Sequence, residues 1–78
     1  MSIIVKNGEA VEKLNAILHD YADVIIGRMG IPYKKRGISI ISIALEASQD
    51  CISAMSGKIG EIDGVSVKTA YSAEVYND

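Results

Sequence analysis

Few side chains in this sequence have types and spacings that point to chemistry. His19 is the single histidine and Cys51 the single cysteine. A protein metal site draws on about three or four ligands held by supporting hydrogen bonds, so one copy of the chain falls short. Two copies related by symmetry would double the set, which leaves a metal sensor using His19 and Cys51 as one alternative. The simpler reading is a surface histidine, a buried inert thiol and no metal. Gly57-Lys58 resembles the end of a phosphate-binding loop. That motif wants an earlier glycine where Ile52 stands and a Ser or Thr where Ile59 stands, so the pair reads as part of a helix. Lys34-Lys35-Arg36 could touch phosphate, but a basic turn on an acidic chain is more often a solvated, solubilising tip. Asn7-Gly8 precedes a helical pattern. Free N–H groups at a helix start can receive an anion, and the same pair also makes an ordinary cap. Arg28 could neutralise a carboxylate, or simply charge an edge strand. No nucleophile–base pair and no close pair of carboxylates is legible, so no catalytic residue is assigned and no enzyme is expected. A small dimeric enzyme drawing on Arg28, His19 or Tyr71 is the competing view.

The elements that must position these residues alternate clearly. Ile3-Ile4-Val5 reads as a short strand, apolar on both sides. Asn7 then caps a helix from Glu9 to about Tyr21, with Glu9 and Glu12 complementing its dipole. Ala10, Val11, Leu14, Ile17, Leu18 and Tyr21 form its apolar stripe. A second strand, 24–31, is interrupted by Gly27 and Gly30 and charged at Arg28, which suits an edge. A turn with Pro32 at its start and Gly37 at its end leads into Ile38–Leu45. That strand shows Ser39, Ile41, Ile43 and Leu45 on one face and Ile38, Ile40, Ser42 and Ala44 on the other, so it is apolar both ways. Ser48 caps a second helix through Ile52, Met55 and Ile59. Gly57 is expected to serve close packing, and Gly60 to end the helix in a left-handed conformation. Val65, Val67, Thr69 and Tyr71 alternate with smaller or polar residues as a final edge strand. The last residues, 74–78, read as a tail that is frayed or docked on a partner.

The order is therefore β-α-β-β-α-β, an α+β chain. Two such halves give the ferredoxin-like arrangement, a four-stranded antiparallel sheet with two helices on one face. Its first and third strands are central, and those are the two strands apolar on both sides. Helices cover one sheet face. The other is expected to be covered by a further copy of the chain, as a dimer or tetramer. Length agrees: a single domain spanning all 78 residues buries only about 60–65% of its unfolded surface and needs a supplement. One cysteine rules out a disulfide framework and suits a reducing cytoplasm. No leader and no apolar run of the roughly 20 residues that span a bilayer is read, so no membrane partner is expected. A formal charge of −2 argues against a nucleic-acid surface.

Arg28-Met29-Gly30-Ile31-Pro32, the strand Ile38–Leu45, Ser56-Gly57-Lys58-Ile59-Gly60 and Gly64-Val65-Ser66-Val67-Lys68-Thr69 resemble the small proteins called putative iron-only hydrogenase system regulators. The likeness runs from about Leu14 to Tyr71. It implies a ferredoxin-like domain of the ACT kind, similar to the regulatory domain of the nickel-responsive repressor, that assembles into dimers or tetramers. It also implies a regulatory role near the hydrogenase system. The repressor's DNA-binding ribbon has no counterpart here. In ACT-like domains the turn after the first strand lines a small-molecule site at a subunit interface. The resemblance thus marks Asn7 and Gly8 as ligand-binding candidates; Arg28, for its charge, and Gly30 beside it complete the candidate set, with no cofactor implied. Two other families on this fold do not match: the first loop, Lys6-Asn7-Gly8, lacks the CxxC of metallochaperones and the arginine of acylphosphatases.

Overall fold

The computed structural model describes residues 1–72. Four strands and two helices follow in the order expected: β1 (Ser2–Val5), α1 (Gly8–Asp20), β2 (Ile25–Tyr33), β3 (Ile38–Leu45), α2 (Gln49–Gly60) and β4 (Val65–Lys68), with short 3-10 turns at Ala22–Val24 and Lys34–Arg36. The sheet is antiparallel with order β2-β3-β1-β4. β1 and β3 are central, as their two-sided apolar character requires. This is the ferredoxin-like topology.

Register decides what each face carries. Ile3 pairs with Ile41 and Val67, and Val5 with Ser39 and Val65. Together with Ile43 these residues point at the helices. Ile3, Val5, Ile41 and Ile43 form one buried cluster with Ala10, Leu14 and Leu18 of α1 and Met55 and Ile59 of α2. Both helices therefore pack on a single face. The alternate residues face the other way. Ile4 pairs with Ile40, Ile40 with Ile31, Ser42 with Met29 and Ile38 with Tyr33.

The helix starts are set locally. Asn7 is extended and its side-chain oxygen accepts from the Ala10 N–H at 2.8 Å. Ser48 does the same for Cys51 at 3.1 Å. Each satisfies one otherwise orphaned donor.

Several expectations need correction. Pro32 does not open the turn but lies inside β2, which runs to Tyr33. The reversal is made by the 3-10 turn and by Gly37 at φ 65°. Gly27 does mark an irregularity, between Ile25 and Gly27, whereas Gly30 pairs normally with Ile41. Gly60 is not left-handed. It is helical, and Glu61 caps α2 in a right-handed conformation. A Cβ at Gly60 would sit 3.6 Å from Val67, so this glycine lies where α2 meets β4. Gly57 packs against nothing: the space beside it is open. β4 ends at Lys68, short of Thr69 and Tyr71. The expected tail, 74–78, lies outside the described residues.

Candidate functional site

The turn between β1 and α1 forms one wall of a cleft of about 310 Å³. Val5, Lys6, Asn7, Gly8 and Val11 line it from one side, and Pro32, Lys34, Gly37, Ile38 and Ser39 from the hairpin end of β2 and β3. Antiparallel pairing of β1 with β3 brings these segments together. The turn is braced from a third direction. The Lys6 N–H donates to the Gly64 carbonyl at 2.8 Å, and Gly64 adopts φ 81° close against the Asn7 side chain. Asn7 is thus held in its capping position. Lys6 and Lys34 are among the residues lining this cleft beside the N-terminal end of α1, where the helix dipole favours negative charge.

Of the four ligand-binding candidates, Asn7 and Gly8 line this cleft. Arg28 and Gly30 do not. Arg28 lies on the helix-facing side of β2, across from Ile43, and donates to the Asn15 side-chain oxygen at 3.4 Å. Gly30 lies two residues along the same side of the strand, across from Ile41. Sequence reasoning missed Lys6 and Lys34 as companions of Asn7. Lys6 belongs to no motif and Lys34 reads only as part of the basic turn Lys34-Lys35-Arg36, so only the strand pairing sets the two at one cleft.

A larger cleft of about 880 Å³ opens at the other end of the sheet. The β3–α2 connection, Ile26, Ile52 and residues 69–72 line it. The Thr69 hydroxyl is buried there without a hydrogen-bond partner. The Tyr71 and Ser53 hydroxyls share a hydrogen bond of 3.4 Å.

The remaining candidates sit apart. His19 is exposed in the last turn of α1, and Cys51 is half-buried in the first turn of α2. Among the described residues no three His, Cys, Asp or Glu side chains converge as a metal-binding group. Lys58 is on the exposed side of α2, its ammonium 5.2 Å from the centre of the Tyr21 ring. Tyr21 raises the Lys58 pKa above the ordinary lysine value. The contact lies at the surface between the end of α1 and α2, and Lys58 sits within α2 rather than in a phosphate-binding loop. No described helix is long and apolar enough to cross a membrane.

The open face of the sheet exposes large apolar side chains. Met29 is 61% exposed, Ile31 49%, Tyr33 41% and Ile4 39%, with Ile38 and Ile40 half-buried between them. Cross-strand pairing makes these side chains one contiguous apolar patch.

Comparison with known proteins gives three results. Residues 1–69 match the model of the TM1266-like family, described as "Iron-only hydrogenase system regulator, putative". The solved structure of the protein TM1266 from Thermotoga maritima superposes with a TM-score of 0.83 at 37% identity, covering 86% of this chain and 85% of that one. No curated protein matches.

Proposed function

This chain belongs to the TM1266-like family, described as "Iron-only hydrogenase system regulator, putative", and on that premise we propose that it is a non-catalytic, ACT-like regulatory module of that system, working in the cytoplasm as a homo-oligomer. The carrying observation is the open sheet face. Large apolar side chains from β1, β2 and β3 lie side by side on it. Contiguous exposed patches of this kind on a small domain mark interaction surfaces. A second copy offers the same patch, and a self-complementary patch is what a two-fold dimer uses. A dimer of dimers would make the tetramer.

The reading includes a small anionic ligand at the β1–α1 turn, bound by the N–H groups around Asn7 and Gly8. Lys6 and Lys34 supply compensating charge there. Arg28 and Gly30 would enter such a site only from a neighbouring copy, because within one chain they lie away from the cleft.

Native mass spectrometry of untagged protein tests both parts together. Dimers or tetramers are expected, carrying a small-molecule mass that is lost when Gly8 is replaced by a bulky acidic residue. A monomer at micromolar concentration overturns the assembly. An oligomer of bare chains from fresh lysate overturns the ligand.

A further inference from the structure

Charge is segregated along this chain. From Val24 to Leu45 there is no Asp or Glu, while Arg28, Lys34, Lys35 and Arg36 supply half of the 8 basic residues. The β2–β3 hairpin therefore carries +4, and the rest of a chain whose formal charge is −2 carries −6. The structure gathers these cations at exposed positions. Lys34, Lys35 and Arg36 form the 3-10 turn at the hairpin tip, and all three are exposed. Lys6 reaches the same end of the molecule, lining one cleft with Lys34. Arg28 lies farther along β2 on the helix-facing side. Arg28 lies on the side of the sheet opposite the open apolar face, and Lys34, Lys35 and Arg36 belong to the turn beyond the strands rather than to the paired residues of that face.

Solubility alone does not require this arrangement. Mixed charges keep a surface soluble, whereas a one-sign field is a device for attracting a partner of the opposite sign. We propose that the cationic tip of the β2–β3 hairpin is a docking site for a short acidic segment of a partner protein. The size of the field selects a polypeptide over a nucleic acid. At physiological salt a charge is felt over about 8 Å, so the tip acts locally. A duplex carries a charge roughly every 1.7 Å and would run from the tip onto the acidic remainder of the domain. A few carboxylates on a flexible segment match a few clustered cations without that penalty. Lys and Arg side chains at the tip supply charge-assisted hydrogen bonds to those carboxylates. The site would connect the oligomer to another protein and operates whether or not the sheet face is covered.

The probe is a short labelled peptide of alternating Asp and Ala, added to the full chain while backbone amide resonances are recorded. Saturable shifts confined to Arg28–Gly37 and Lys6 are expected, weakening with added salt. The same peptide with Lys for Asp should produce none. The triple variant Lys34→Glu, Lys35→Glu, Arg36→Glu should lower the affinity about tenfold or more. The control triple Lys13→Glu, Lys58→Glu, Lys68→Glu makes the same change in net charge elsewhere and should bind far better than the tip variant. Equal loss in both triples would reduce the effect to net charge and overturn the proposal. So would shifts mapping elsewhere, absence of saturable binding, or a duplex oligonucleotide that displaces the peptide and shifts the same residues more strongly. The mapping on the unmodified chain stands even if a triple variant fails to fold.

Discussion

Asn7 shows how much one side chain can organise. Its oxygen caps α1, and its amide nitrogen crowds Gly64: a Cβ placed there would lie 2.6 Å away. The cap was legible from the residue type and the helical stripe that follows it. The role of Gly64 was not, because the crowding comes from a residue far away in sequence. Gly64→Ala must adopt φ 81° and displace Asn7 as well. It should cost about 2 kcal/mol, read as a lowered urea midpoint with an unchanged slope. Asn7→Ala removes the cap alone and should cost about 1 kcal/mol. The two losses should fall short of additive in the double variant, since Ala at position 7 also relieves the crowding. Thr69 offers the opposite case. Its buried hydroxyl has no partner, so Thr69→Val keeps the shape and removes an unpaid desolvation cost. The expected result is an unchanged or higher midpoint, by up to about 1 kcal/mol.

At the scale of elements, the sequence pattern located both α-helices and all four strands, and the misplaced bounds fall at strand ends. β2 runs through Pro32 because β3 continues opposite it to Ile38, and an edge strand tolerates the missing N–H. β4 stops at Lys68, where its register with β1 runs out at Ser2. Alternation in the sequence continues to Tyr71, but alternation cannot report where a partner strand ends. α2 supplies a sharp test. Gly57 is exposed in the helix, with nothing within 4 Å of an added Cβ. Gly57→Ala should therefore stabilise the fold by about 1 kcal/mol, seen as a raised thermal midpoint. A fall in stability that depends on protein concentration would instead place α2 against a neighbouring copy.

For the whole molecule the open face is decisive. Ile31 is half-exposed in one chain, so Ile31→Lys should change the stability of an isolated subunit by no more than about 0.5 kcal/mol. In an assembly held by that face it buries a charge without a partner. Sedimentation should then show the variant as a folded monomer at concentrations where the parent is a dimer or tetramer. If the variant sediments like the parent, the copies meet elsewhere.

The sequence by itself determined the order of elements, both helix N-caps and the side of α1 that is buried. These depend on residues within a turn or two of one another, where spacing and residue type suffice. It also determined that β1 and β3 are central, because their apolar character on both faces admits no edge position. Only the tertiary structure decided which distant residues meet: Ile4 beside Ile40 and Ile31, Asn7 against Gly64, Lys6 with Lys34, and Arg28 at Asn15 rather than at the β1–α1 turn. Strand register sets those meetings. Register is fixed by packing between segments far apart in the chain, and no local pattern carries it.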